Sequence, residues 1–350
     1  MNISVFDHPW LSGLFGDAEM AGILSAERQM SHMLAFEAAW SRACGKAGLF
    51  DTAKAEEAAR AIETATIDFA DIATGMGQDG VPIPRLVKQL KAIAPADAVH
   101  KGATSQDVVD TAMVLALREA SILIEGRLKT LETEFEALEK RFGDVPLMGR
   151  TRMQAATQIT VRDRLLAWRL PLSDHLTAIG QKRATIEKVQ IGGASGDRKA
   201  LGDKAGMVVD EVAKTLGLAP TQKSWQTMRH GIADYASCLS LISGTLGKFG
   251  QDVALMTQQG LEDITLSGGG GSSAMPHKQN PVSAELLITL ARFNATQVSA
   301  MHHALIHEQE RSGAAWSLEW MVLPQMLMAT GKALDVGCAL CKSITGLGKA

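Results

Sequence analysis

The sequence predicts an all-α protein built as a bundle of long helices, and two observations carry that prediction. The 350 residues hold one tyrosine and nine phenylalanines among long stretches of Ala, Leu, Met, Glu and Lys, a composition that favours helix over strand. Apolar residues also recur in steps of three and four, the period of one helix face, over segments of roughly 30 residues. No convincing hairpin is visible. A helix of roughly 30 residues is about 45 Å long and needs apolar neighbours along its whole length, so oligomeric packing is expected.

Taken in order, residues 18–48 form a first helical region around Met33-Leu-Ala-Phe-Glu-Ala-Ala-Trp40, and residues 51–74 a second. Gly80-Val-Pro-Ile-Pro-Arg-Leu86 breaks regular structure with two prolines before a short helix to Ile93. From Asp110 a stripe runs through Met113, Leu117, Ala120, Ile124, Leu128, Leu131, Phe135 and Leu138. A second stripe takes Leu165, Leu172, Leu176, Ile179 and Ile186, with Pro171 inside it, and a third runs from Met228 to Met256. A fourth helix begins at Pro281 and carries Leu286, Leu290, Phe293, Met301 and Leu305.

Charge excludes several function classes. Thirty-five Lys and Arg against 38 Asp and Glu give a formal charge of −3 without a basic block, so nothing favours nucleic acid or a membrane surface as partner. The N-terminal residues lack a basic stretch followed by an apolar one, and no apolar run approaches the ~20 residues that span a bilayer, so a cytoplasmic protein is expected. Four cysteines are too sparse for a disulfide framework, and Cys338-Ala-Leu-Cys341 reads as a pair of ordinary thiols.

Chemistry concentrates in Ser267-Gly-Gly-Gly-Gly-Ser-Ser-Ala-Met-Pro-His-Lys-Gln-Asn-Pro281. A glycine run lets amide N–H groups turn towards an anion, but alone it would read as a linker. The ordered series of hydroxyl, cation and amide that follows has no use in a linker. This stretch resembles the signature loop of the fumarase/aspartase superfamily, whose members form long-helix tetramers and make or break a bond β to a carboxylate through a carbanion.

Two further segments support the resemblance. His100-Lys-Gly-Ala-Thr-Ser-Gln-Asp107 resembles the first signature region, although Thr104, Ser105 and Asp107 would also suit a helix cap. Gly149-Arg-Thr-Arg-Met-Gln154 resembles the second, in which Thr and Gln contact a substrate carboxylate. The superfamily's amine-releasing members commonly carry His directly after that Thr, where this chain carries Arg152. An amine must be protonated as it leaves, whereas a carboxylate leaves as a stable anion. Loss of the acid and gain of a cation suit bond formation between carbon and a carboxylate oxygen on a multiply anionic substrate. His307-Glu-Gln-Glu-Arg311 with the following Trp316 and Glu319-Trp320 is similar to the carboxymuconate-lactonising branch. Lys101 and Asp197 depart from that branch's pattern.

The resemblance covers residues 10–335 and implies an N-terminal helical domain (1–100), a central bundle (101–335) of helices packing into a tetrameric bundle, and a short C-terminal remnant (336–350). It implies a small tricarboxylate substrate, sites shared between subunits of a homotetramer, and no cofactor. Ser272 is the implied proton donor, with His100 and Lys278 as further catalytic groups. Thr104, Ser105, Gln106, Thr151, Arg152, Gln154, Ser273, Met275, Asn280 and Arg311 are the implied substrate contacts. No metal is expected: His303 and His307, four apart, have no carboxylate at metal-ligand spacing. Alternatives on the same scaffold are an adenylosuccinate-lyase-like elimination, against which Arg152 argues, and a non-catalytic binding protein.

Overall fold

The computed structural model describes residues 3–268, 270–271, 275 and 279–349. The N-terminal part consists of α1 (Ser12–Phe15), α2 (Ala18–Ile23), α3 (Ala26–Lys46), α4 (Thr52–Glu63), α5 (Phe69–Asp79) and α6 (Ile83–Ile93). The bundle follows as α7 (Ser105–Phe142), α8 (Val161–Ile186), α9 (Ala205–Leu216), α10 (His230–Met256), α11 (Val282–His303) and α12 (Gly313–Ser343). Each of the two N-terminal regions read as one helix is divided in two. Asp17, Ser25, Asp51 and Asp68 start α2 to α5, each accepting a backbone N–H of the first turn that has no partner inside the helix.

The long helices α7, α8, α10, α11 and α12 pack side by side. The stripe residues Leu117, Ile124, Leu128, Leu131, Phe135 and Leu138 of α7 are all buried. Phe249 of α10 meets Phe135 of α7 at 5.0 Å and Trp168 of α8 at 4.9 Å between ring centroids, tying three helices together. At Gly250 an added Cβ would lie 2.5 Å from Ala284 O, so only glycine lets α10 approach α11 this closely.

Several expected boundaries shift. α7 begins at Ser105, ahead of the stripe, because Thr104 and Asp107 form a capping box. α10 begins at His230 and leaves Met228 outside. α11 ends at His303, and His307 lies in the turn beyond it, so the two histidines do not share a helical face. α12, which no stripe announced, runs 31 residues and passes through Pro324 and across 335–336 without a break.

The absence of a hairpin is corrected. β1 (Pro146–Thr151) and β2 (Gln154–Thr160) pair antiparallel, with Thr151 opposite Gln154. The connecting residues are Arg152 (φ 48°) and Met153 (φ 66°), both left-handed as a two-residue hairpin turn requires, yet neither is the Gly or Asn that signals such a turn. β3 (Ile264–Leu266) pairs with β6 (Ile344–Leu347), and β4 (Gly270–Gly271) with β5 (Gln279–Asn280). These short ribbons collect at the end of the bundle where α7 stops: Lys349 N–H donates to Pro146 O and Ser267 N–H to Ser343 O.

Candidate active site

At the opposite end, where α7 starts, the loop carrying His100 is fixed by α3. Ser41 Oγ donates to Ala98 O at 2.7 Å, the Trp40 indole N–H donates to Lys101 O at 3.2 Å, and His100 Nδ1 lies 2.6 Å from Glu37 Oε1. His100 itself has a φ of 58°, a conformation a non-glycine residue holds only when its surroundings enforce it. Burial alone would lower the pKa of its imidazole, but the charge and hydrogen bond of Glu37 outweigh that and raise it.

The start of α7 is equally fixed. Asp107, fully buried, accepts the backbone N–H groups of Thr104 (3.0 Å), Gly192 (2.8 Å) and Gly193 (3.0 Å). Burial pushes its carboxyl up to about 7 against those donors. The glycine-rich segment 192–196 therefore spends two amides on holding Asp107.

Gln106 connects this turn to the far side of the cleft. Its Nε2 donates to Asp110 Oδ2 and to Gln226 O, both at 3.0 Å, which leaves Oε1 to accept from Arg311 Nε at 3.1 Å. Arg311 Nη2 donates to Thr104 Oγ1 at 3.0 Å, so the guanidinium is anchored through two nitrogens while the residue remains exposed. Beneath lies a buried ionic cluster. Arg229 bridges Asp110 (2.6 Å from Nη1) and Glu319 (2.8 Å from Nε) and stacks 4.8 Å above the Trp225 ring. The Trp316 indole N–H donates to Asp110 Oδ1 at 2.9 Å, a role beyond simple packing against Trp320. His307 has a fully buried side chain whose ring nitrogens make no hydrogen bond among the described residues, with Nε2 3.9 Å from Glu319, and burial together with Arg229 lowers its pKa.

The structure thus brings His100, Thr104, Ser105, Gln106 and Arg311 to one end of the bundle. Thr151, Arg152 and Gln154 sit at the tip of the hairpin at the other end, all exposed, and Asn280 belongs to β5 at that end. Met275 is exposed. Ser272, Ser273 and Lys278 lie outside the described residues. The two groups are separated by the length of α7, whose 38 residues span about 57 Å at 1.5 Å each. Among the described residues no group of three His, Cys, Asp or Glu side chains is gathered as a metal would need.

Sequence reasoning gave no role to Glu37, Asp110 or Arg229, and carried Glu319 only as part of a motif. A Glu between Phe36 and Ala38 reads as a helix's solvent side, and only its complete burial singles it out.

Comparison with known proteins adds the following. The lyase family profile matches residues 16–297. The 3-carboxy-cis,cis-muconate cycloisomerase of Pseudomonas aeruginosa is 36% identical over 339 residues, which cover 94% of this chain and 74% of the relative. A solved 3-carboxy-cis,cis-muconate lactonizing enzyme from Pseudomonas putida superposes with a TM-score of 0.88 at 34% identity, over 96% of this chain and 77% of the other. A solved fumarate lyase from Mesorhizobium sp. BNC1 gives a TM-score of 0.89 at 28% identity, over 95% and 76%.

Proposed function

The chain belongs to the lyase family, in its fumarase/aspartase superfamily, and from that premise we propose that it is a 3-carboxy-cis,cis-muconate cycloisomerase. The observation that carries the reading is similarity over more than nine-tenths of the chain to enzymes that bear this name. In the reaction one substrate carboxylate adds to the conjugated double bond, negative charge develops on the neighbouring carboxylate, and a proton is delivered to the α carbon, closing 4-carboxymuconolactone. Stabilising that charge is the largest demand on the protein.

The residues divide the work as follows. Ser272 delivers the proton, supported by Lys278. Arg311 offers the exposed part of its anchored guanidinium to a carboxylate, with His100, Thr104, Ser105 and Gln106 beside it. Arg152, Thr151 and Gln154 from the hairpin tip, with Ser273, Met275 and Asn280 from the signature stretch, hold the remaining carboxylates. Two half-sites at opposite ends of a helix of about 57 Å support a homotetramer in which antiparallel neighbours bring the tip of one subunit to the His100 loop of another. Four free cysteines, all buried, fit a reducing cytoplasm. Burial pushes the Cys338 thiol up to about 11, which leaves it unreactive. The test is spectrophotometric: the diene absorbance of 3-carboxy-cis,cis-muconate should disappear on addition of the protein. Unchanged absorbance alongside turnover of an amine-releasing substrate would reject the assignment.

A further inference from the structure

We propose that Glu37 is the positioning residue of the site: it fixes the His100 ring through Nδ1 and holds it as the cationic half of a buried imidazolium–carboxylate pair, with Nε2 left for a substrate carboxylate. The inference deepens the proposed function, on which the assignment of His100 to substrate rests.

Four observations converge. Glu37 is fully buried in a helix whose neighbouring positions are Phe36, Ala38, Ala39 and Trp40, and its Oε2 takes no hydrogen bond among the described residues. A buried carboxylate with one oxygen unpaired is costly, and a neutral side chain of similar size would serve packing better. Its other oxygen makes the 2.6 Å contact with His100 Nδ1, in the short range of charge-assisted bonds. Trp40 and Ser41, three and four residues on, grip the same loop at Lys101 O and Ala98 O, so one stretch of α3 places the ring, its backbone and its charge partner. The left-handed φ at His100 is sustained by those contacts.

The charged groups that face the ring are Glu37 from α3, Asp107 from α7 and Lys91 from α6. Burial and Lys91 oppose the cation, Glu37 and Asp107 favour it, and the net effect raises the imidazole pKa above its ordinary value. Glu37 makes the direct contact and is the dominant favourable partner. A neutral amide at position 37 could still accept Nδ1–H, so Glu37→Gln preserves orientation and removes charge.

The experiment follows hydrogen–deuterium exchange at the His100 Cε1–H by peptide mass spectrometry as a function of pH, in the full chain without substrate. The wild-type midpoint should lie above 6.5, the ordinary histidine value, and Glu37→Gln should bring it down. In parallel the alkaline limb of kcat/KM should move to lower pH in Glu37→Gln, with about a tenfold loss near neutrality and recovery on the acid side. A purely structural role would lower the rate equally at every pH. A wild-type midpoint at or below 6.5, or the same midpoint in both proteins, overturns the proposal. If Glu37→Gln does not fold, the wild-type midpoint stands as a test without any variant. A midpoint that follows Glu37 in a protein without lactonising activity would keep the pair and reject the function; activity with an unmoved midpoint would do the reverse.

Discussion

The two ends of the bundle are built in opposite ways. At the His100 end three polar side chains of the candidate site lean on neighbours: His100 on the buried Glu37, Gln106 on the buried Asp110, and Arg311 on Gln106 and Thr104. At the hairpin end Thr151, Arg152 and Gln154 stand in solvent on a turn with two left-handed residues. The first arrangement spends folding energy in advance on orientation, so its groups need not be ordered when substrate arrives. Among the described residues the side chains of the second make no hydrogen bond that would orient them in advance. The contrast fits the proposed arrangement, in which the first end is a preorganised half-site and the second a half completed by association.

The largest effect should come from breaking the support of the first end. Arg229→Met leaves Asp110 and Glu319 buried without their shared cation and should cost about 3–5 kcal/mol in urea unfolding, whereas Arg152→Ala at the exposed tip should change stability by less than about 0.5 kcal/mol. Equal losses would erase the distinction. Next in size, Ser272→Ala should lower the single-turnover rate by roughly 10²-fold or more with little change in substrate affinity, and Ser273→Ala should be milder. Near-normal chemistry in Ser272→Ala, with chemistry abolished in His100→Ala, would transfer the proton to His100. Arg152→Ala should raise KM by about tenfold and leave kcat nearly intact, because a cation on a peripheral carboxylate serves ground state and transition state alike. Arg152→His should not restore affinity.

The smallest effect concerns pH. A histidine whose pKa is raised by folding adds stability that is complete below the unfolded value of 6.5 and is lost as pH rises through the raised folded value. The urea midpoint should therefore decline over that window, and the decline should flatten in Glu37→Gln. A midpoint that rises over the same interval would contradict the direction assigned to His100.

Much of this was legible in the sequence, for reasons that can be stated. The stripes of α7, α8, α10 and α11 showed because each of those helices keeps a polar face against which an apolar one stands out. α12 went unannounced because it is buried around most of its circumference, from Trp316 through Leu323, Met326 and Ala329 to Cys341, and a helix without a polar face has no stripe. The hairpin of residues 146–160 was missed because Arg152 and Met153 adopt positive φ without a residue type that advertises it. His100, Thr104, Gln106 and Arg311 were found through local motifs. Glu37 and Arg229 were not, since they act across 63 and 119 positions of sequence, and Glu319 was quoted only within a motif, its ion pair with Arg229 lying 90 positions away.

The central claim is that a working site takes its two halves from different subunits, and mixing tests it most directly. His100→Asn disables one end and Arg152→Ala combined with Thr151→Ala the other. Assayed far below KM, each variant alone should retain only a small fraction of wild-type activity. Dissociated together and reassembled at equal concentrations, they should recover about a quarter of wild-type activity, the share of sites that draw an intact half from each parent. No recovery, in mixed assemblies verified by mass spectrometry, would mean that each chain builds its site alone.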